Sequence, residues 1–505
     1  MNCSPLVLTT LLVLCTFTFN AQAMRPNFVL IIGDDISAAD LGCYGNRGVR
    51  TPHLDRLARE SLRFTRAYVT ATSCSPSRCS LLTSRYPHNL ETAAELHGAL
   101  PGGLALFPQL LRNFGYFTAH AGKAHFGTQA NQGVQRVVGP AEAAFEVSGD
   151  GEPVPGKGGY GGEEQWLHRL RNRPADRPFF LWLAAHDAHR VWDADDFAGR
   201  HAPAEVTVPP ELLDTPETRQ DLASYYDEIH RLDHHVGQVM EELRRQGVLE
   251  QTVILFLSDQ GRPFPRAKTQ VYEAGVLTPL IIRLPKTLGD PGVVDALVSS
   301  IDLGPTVLEL AGLARPASFQ GVSLTPLFRT PRTPVRDFAF AERNWHNFTT
   351  HIRLVRHGDY AYLRNAYPER WAPGASETFY NPSADALKAG YAAGTLTPVQ
   401  ADIFQKVRPA EELYDVRADP NQEHNLIDRP GSAAVAAFLR QAMDQWQAET
   451  GDSVPEHPTP PDTDYATGRK FPGFQRGTPP GASTHALSIH RPGPIRTADV
   501  RKPGL

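Results

Sequence analysis

After residue 23 no stretch of this chain is long and apolar enough to cross a membrane as a helix, so a second span is excluded. Cysteine is scarce, with five in 505 residues, and Cys3 and Cys15 fall within the first 23. The remaining three, Cys43, Cys74 and Cys79, are too few for a disulfide framework in an exported chain of this size. Cys74 is therefore free for chemistry. A basic excess is also missing. The formal net charge of −5 excludes the electrostatic footprint of a nucleic-acid binder. No internal repeat is visible, which excludes a repeat architecture.

What is present supports a large globular chain. Hydrophobic residues make up 41%, enough for one large core or two unequal ones, and 43 prolines with 41 glycines mean much loop and turn. Residues 1–23 read as a cleaved secretory signal, apolar over 6–19 with Ala21-Gln22-Ala23 as a small-x-small cleavage site. An uncleaved anchor is the other reading. Cleavage predicts a secreted, periplasmic or lysosome-like location with no membrane span afterwards.

The β-branched apolar run 27–32 reads as a buried parallel strand, and it stops at Gly33-Asp34-Asp35. Adjacent carboxylates at a strand end are either a solvated turn or a site for a cation that relieves their repulsion. Three more runs read the same way: 116–119, leading to Lys123 and His125; 178–185, leading to His186 and His189; and 252–257, leading to Asp259 and Gln260. A fifth covers 280–284. Helices are expected to open at Thr51-Pro52 and at Cys74, and to run over 107–111, 222–243 and 304–311. His230 and His234 on the long helix have metal-like spacing but read as structural. Residues 128–175, glycine-rich and without periodicity, read as a long loop or lid.

Alternating strands and helices predict an α/β fold, a large doubly wound mixed sheet flanked by helices over residues 24–330. Ligands in such folds bind beyond the carboxyl ends of the strands. Any one of the polar strand ends also fits an ordinary surface turn. Four together, with a cysteine at a helix mouth, predict a site. Short strands over 338–342, 352–355 and 360–363, then a helix over 433–450, predict a smaller C-terminal α+β domain over 331–450. Residues 451–505, rich in Pro and Gly, are expected to form an extended or disordered tail. Asn347-Phe348-Thr349 fits a glycosylation sequon.

The most informative stretch is Cys74-Ser75-Pro76-Ser77-Arg78, followed by Leu82-Thr83-Ser84-Arg85. Thr72 and Ser73 are placed to cap a helix whose first turn accommodates Pro76. Free amides at such a terminus favour an anion, and Arg78 adds a planar fork for an oxyanion. A small buried cysteine beside a cap is the alternative. The stretch resembles the maturation motif of the type I sulfatases of the alkaline-phosphatase-like superfamily, with Ser84 where Gly is usual. The resemblance covers residues 25–450. Within the family the chain is similar to the subfamily acting on N-sulfoglucosamine, through 179–190, 258–273, Arg353-Leu354-Val355-Arg356-His357 and Glu412-Leu413-Tyr414-Asp415.

That resemblance implies a sulfuric ester or sulfamate hydrolase acting on sulfated saccharides. It implies oxidation of Cys74 to formylglycine (3-oxoalanine) by a formylglycine-generating maturation enzyme. It also implies a divalent cation, usually calcium, held by Asp34, Asp35, Asp259, Gln260 and the modified Cys74. Gln260 replaces the commoner Asn and offers the same carbonyl oxygen on a longer stem. Arg78, Lys123, His125, His189 and Lys268 match residues that hold sulfate or move protons. Lys268 stands where the subfamily has Arg. The hydrated aldehyde supplies one hydroxyl to attack sulfur and a second that lets sulfate leave, with His189 as leaving-group acid and His125 as base. His186 is assigned to substrate binding. Glu342, Arg343, Asn344 and His346 are either a surface turn or part of the sugar-pocket wall. An O-sulfatase on another polysaccharide, a phosphomonoester or phosphonate hydrolase, and an inactive binder of sulfated glycans stay open as alternatives.

Overall fold

Seven strands build the larger of the two main sheets: β1 (Asn27–Gly33), β2 (Leu62–Phe64), β3 (Phe117–Gly122), β4 (Phe179–Ala184), β5 (Thr252–Ser258), β6 (Leu280–Arg283) and β7 (Gly292–Val294). Their order across the sheet is β3-β4-β1-β5-β6-β2-β7. The first four of that order run parallel, and β6 runs antiparallel to both β5 and β2, so the sheet is mixed. This is a computed structural model, and it describes residues 25–126, 141–147, 162–192 and 195–501. The signal-peptide expectation lies outside those residues.

Every residue of β1 is buried, as expected of a central strand covered on both faces. Phe28, Leu30 and Ile32 enter one core, while Val29 and Ile31 enter the other. The first core also takes α2 (Cys74–Thr83), α3 (Phe107–Asn113) and α6 (Leu303–Leu310), through Leu81, Leu111 and Val307 among others. The second takes α1 (Pro52–Arg59), α4 (Glu164–Arg171) and the thirty-residue α5 (Pro216–Arg245). At the start of α5 the Thr215 side chain accepts the Thr218 N–H and Pro216 occupies the first turn. Helix α4 interrupts the loop expected over 128–175. The rest of that loop lies largely outside the described residues.

A second, antiparallel sheet follows the order β8 (Phe338–Arg343), β9 (Ile352–His357), β10 (Tyr360–Asn365), β11 (Glu411–Asp415). One face carries Phe340, Val355 and Leu413 against Leu439, Met443 and Trp446 of α9 (Ala433–Thr450). Trp446 stacks on Phe340 with centroids 4.8 Å apart. The other face packs Ala341 and Leu354 against Tyr68 and Val276 of the large domain. Burying each large side chain at these contacts is worth ~1.5–3 kcal/mol.

Three features refine what the sequence suggests. The smaller domain is not one continuous block. After β10 the chain returns to the large sheet, where α7 (Ser376–Phe379) and α8 (Pro382–Ala393) place Phe379 and Leu387 in the same core as α5. Residues 451–501 run extended with only short turns, but they are docked rather than disordered. Thr459 Oγ1 donates to Glu95 Oε2 (2.7 Å), Trp345 Nε1 to the Pro460 carbonyl (2.7 Å) and Arg85 Nη2 to the Leu487 carbonyl (2.8 Å). A segment too polar to build its own core can still satisfy buried groups of a core already formed. Asn347 is buried and its Oδ1 accepts the Ser376 N–H (2.9 Å), so the sequon is not displayed on the surface. Among the described residues no helix is long and apolar enough to cross a membrane.

Candidate active site

The register of the parallel strands aligns their carboxyl ends. Gly33 lies opposite Ser258, and Ala184 opposite Gly122 and beside β1. Whatever follows these residues is delivered to one edge. Asp34 is stitched to the loop after β4: its N–H donates to the Asp187 carbonyl (2.8 Å), and the Ala188 N–H to its own carbonyl (2.6 Å). Asp35 takes a left-handed backbone (φ 61°), which Asp tolerates better than most residues, and its N–H donates to Asp259 Oδ1 (3.3 Å). Carboxylate oxygens of Asp34, Asp35 and Asp259 consequently lie within 4.8 Å of one another, all buried. No other such group of His, Cys, Asp or Glu occurs among the described residues. His230 and His234 stay outside it.

Each carboxylate hydrogen-bonds to a different cation. Lys123 Nζ bonds Asp34 Oδ2, Lys268 Nζ bonds Asp35 Oδ2 (2.6 Å) and Arg78 Nε bonds Asp259 Oδ2 (2.7 Å). Burial and the neighbouring charges pull the three acids apart. Burial pushes Asp35 and Asp259 up, to about 6 and about 7, with the Asp34 charge adding to it. For Asp34 the same burial is outweighed by Lys123 and Arg78, which hold it far below the usual carboxylate range. Two oxygens are left over. Asp34 Oδ1 and Gln260 Oε1 are buried without a hydrogen-bond partner, while Gln260 Nε2 donates to Asp35 Oδ1 (2.5 Å). A buried orphan acceptor costs ~1–3 kcal/mol. Hard oxygen donors converging with unmet capacity fit a divalent cation of the calcium or magnesium type.

Helix α2 brings Cys74 and Arg78 to this cluster. Ser73 precedes it in extended conformation, but its hydroxyl does not cap the helix as expected; Oγ lies 2.8 Å from His346 Nδ1 instead. Ser77 Oγ donates to the Asp259 carbonyl (2.6 Å), and Arg78 Nη1 to the Lys123 carbonyl (2.8 Å). Ser84, where the sulfatase motif has Gly, ends the helix with φ 52°, a left-handed backbone that explains the usual glycine. Cys74 packs with Leu96 and Trp345, with Phe474 of the docked tail against them. Burial pushes its thiol up to about 11 despite Lys123 and Lys268. An unmodified Cys74 is therefore a protonated thiol at neutral pH, not a thiolate nucleophile.

The histidines are held neutral. His125 Nε2 lies 2.8 Å from His97 Nδ1, and both residues have positive φ, 49° and 59°. Burial first, then Lys123 and His97, hold His125 well below its ordinary value; burial, His346 and Arg476 hold His97 at about 3. Two imidazoles sharing one hydrogen bond cannot both be cationic cheaply. The unfolded chain takes up protons below pH 6.5 that the folded His97 refuses until about 3, so stability present at neutral pH falls as pH drops through that window, by up to about 1.4 kcal/mol per pH unit for His97. Urea midpoints at pH 7, 6 and 5 should fall steadily, and His97→Asn should flatten the decline. An unchanged slope in the variant would remove His97 as its source.

His189 ends the set. Its Nδ1 bonds the Arg190 carbonyl, so that nitrogen carries the proton, and Nε2 lies 3.9 Å from Asp35 Oδ2 and 4.0 Å from Glu377 Oε1. His186 holds its place through its backbone N–H, which donates to Glu163 Oε1 (2.8 Å). Two expected pocket residues are elsewhere. Glu342 is fully buried with His88 Nδ1 (2.6 Å) and Asn344 Nδ2 (2.9 Å), in a network that Arg353 carries on to Asp452. Arg343 donates to Gln270 and to the Ala372 carbonyl (2.9 Å). Successive residues of β8 face opposite sides, and both sides are covered here, so Glu342 is taken up by the His88–Arg353 network on one face and Arg343 by Gln270 and Ala372 on the other. His346, three residues beyond β8, does reach the site. Glu377 was not foreseen: its Oε1 lies 3.0 Å from Lys268 Nζ and 3.7 Å from His346 Nε2. A cavity of about 550 Å³ lined by Asp40, Arg262 and Tyr272 contains none of these groups.

Comparison with known proteins finds matches over most of the chain. A family model described as Sulfatase matches residues 26–313, and one described as N-sulphoglucosamine sulphohydrolase, C-terminal, matches residues 266–367. Human N-sulphoglucosamine sulphohydrolase is 30% identical over 471 residues, covering 85% of this chain and 91% of its own length. Human arylsulfatase A is 30% identical over 485 residues, covering 85% and 88%. Among solved structures, a protein in complex with its substrate D-glucosamine-2-N,6-O-disulfate superposes with a TM-score of 0.62 at 20% identity, covering 84% of this chain and 98% of that one, which shows a shared fold.

Proposed function

This chain belongs to the sulfatase family, a family of hydrolases of sulfate esters and sulfamates, and we propose that within it the protein releases sulfate from N-sulfated glucosamine. The observation that carries the reading is the buried trio Asp34, Asp35 and Asp259, gathered with Arg78, Lys123 and Lys268 at the helix mouth that Cys74 opens. Choice of substrate is supported by the subfamily model over 266–367, a region that contains both Lys268 and His346. An O-sulfated saccharide is the second reading, favoured by similarity to an ulvan-active sulfatase and to an N-acetylglucosamine-6-O-sulfatase.

In this reading Asp34, Asp35, Asp259 and Gln260 hold a divalent cation, which when bound polarises an oxygen nucleophile as a Lewis acid. Cys74, oxidised to formylglycine by a maturation enzyme, supplies that nucleophile as a hydrated aldehyde and a second hydroxyl for sulfate release. The chain's own residues do the rest. Arg78, Lys123 and Lys268 present one guanidinium and two ammonium groups to the sulfate oxygens, where charge accumulates. His125, kept unprotonated by burial, Lys123 and His97, has a free ring lone pair with which to accept a proton. His189 passes a proton from Nε2 to the leaving atom. In the free site burial, Lys268 and Lys123 hold His189 at about 3; an anionic substrate seated on those lysines offsets their charge and lets Nε2 be protonated. Export through the N-terminal leader to a secreted, periplasmic or lysosome-like compartment belongs to the same proposal.

Sulfate release from N-sulfoglucosamine, 6-O-sulfoglucosamine, an aryl sulfate and an aryl phosphate tests the assignment. The N-sulfated sugar is expected to show the highest kcat/KM. Turnover of the phosphate alone, or of O-sulfates alone, contradicts it. His189→Ala should cost on the order of 10²-fold on the sugar and much less on 4-nitrophenyl sulfate, whose leaving group needs no proton. Equal losses would take the acid role away from His189.

A further inference from the structure

Glu377 is out of place in a site built for an anion. It sits in the one-turn helix α7, suspended from Asn347 through the Ser376 N–H, in the same loop system that carries His346. Its Oε1 faces three groups at once: Lys268 Nζ at 3.0 Å, His346 Nε2 at 3.7 Å and His189 Nε2 at 4.0 Å. Its Oε2 has only a long contact from its neighbour Ser376 Oγ (3.4 Å). The Glu377 side chain is 26% exposed whereas Lys268 is fully buried, so the carboxylate is the outward-facing partner of that pair. Although burial acts to raise it, Lys268 and His346 hold it well below the usual carboxylate range. An ionised carboxylate here competes with sulfate for Lys268 and repels an approaching anion. Such a cost fits a substrate that brings an N–H or a developing positive charge to this spot.

The neighbours say which substrate atom that is. His189 Nε2 is the leaving-group acid of the proposed mechanism, so a carboxylate beside it borders the leaving atom. We infer that Glu377 is the residue that selects nitrogen-linked over oxygen-linked sulfate, by accepting a hydrogen bond from the scissile nitrogen and holding the ammonium product. This rests on the assignment of Lys268 and His189 above. Sulfamate hydrolysis is R–NH–SO3⁻ + H2O → R–NH3⁺ + SO4²⁻: the S–N bond breaks with its electron pair left on nitrogen, a new S–O bond forms, and nitrogen gains both protons of water. The ester gives R–O–SO3⁻ + H2O → R–OH + SO4²⁻ + H⁺, with no cation at the leaving atom. A carboxylate assists the first and has nothing to hold in the second.

The test compares wild type, Glu377→Gln and Glu377→Asp on N-sulfoglucosamine and 6-O-sulfoglucosamine, with inhibition by glucosamine and by N-acetylglucosamine. In E377Q, kcat/KM on the sulfamate should fall ~10²-fold and on the ester at least about tenfold less. Inhibition by glucosamine should weaken while that by N-acetylglucosamine, which has no ammonium, stays put. E377D should recover part of the sulfamate activity, and it carries the same comparison should E377Q melt early. A wild type active on the sulfamate whose E377Q variant loses both substrates alike overturns this inference only, leaving Glu377 as a prop for Lys268. A wild type active only on O-sulfates overturns both this and the functional reading.

Discussion

A Cys74→Ala enzyme is expected to lose sulfate release by on the order of 10⁴-fold or more while remaining folded. The thiol contributes little to stability. It packs with Leu96 and Trp345 at the mouth of the site, and shaving one sulfur there costs ~1 kcal/mol. Everything that binds sulfate survives the change, since Arg78, Lys123 and Lys268 are anchored by their carboxylates rather than by Cys74. The variant should therefore still be protected against heat by the uncleaved substrate. The competing view, a small buried cysteine beside a helix start, predicts near-normal turnover in Cys74→Ala. Thermal melts with and without N-sulfoglucosamine, run beside the activity assay, separate loss of the nucleophile from loss of the fold.

Removing divalent cations should be nearly as severe. Three carboxylates within 4.8 Å are balanced here one-to-one by Arg78, Lys123 and Lys268. Under the proposed mechanism those same cations must hold sulfate, so the carboxylates need another positive partner. The raised Asp35 and Asp259 and the orphaned Asp34 Oδ1 and Gln260 Oε1 mark the same deficit. Treatment with a chelator should lower turnover about 10³-fold or more, the worth of several kcal/mol of Lewis-acid stabilisation. It should also lower the melting temperature, because a cation at a hundred times its Kd stabilises the fold by about 2.7 kcal/mol. Calcium should restore both. Activity and melting temperature that ignore the chelator would leave the carboxylate trio as a structural ion-pair cluster.

Much of this site was legible because the strands that deliver it are buried on both faces. Such strands read as apolar runs, and Asp34, His186 and Asp259 stand out as the first ionisable residues beyond β1, β4 and β5, whereas β3, interrupted by Thr118 and His120, marks Lys123 less sharply. The helix at Cys74 was legible from its proline. What escaped was whatever distant chain segments contribute. Ser73 meets His346 across 273 residues, and Glu377 lies in a four-residue helix with no periodicity to announce it. The roof over Cys74 joins Trp345 to Phe474, from a segment whose Pro and Gly content suggested disorder, with rings 4.9 Å apart. Glu342 was misplaced for a simpler reason: polar residues at a strand end look alike whether they face solvent or, as here, a buried arginine network.

The most direct measurement is the mass of the peptide containing residue 74, taken from protein purified in active form from its own host. The proposed enzyme requires that this peptide lack sulfur at position 74 and carry an aldehyde that a hydrazide reagent captures, in proportion to specific activity. Fully active protein whose peptide retains an intact Cys74 thiol would contradict it.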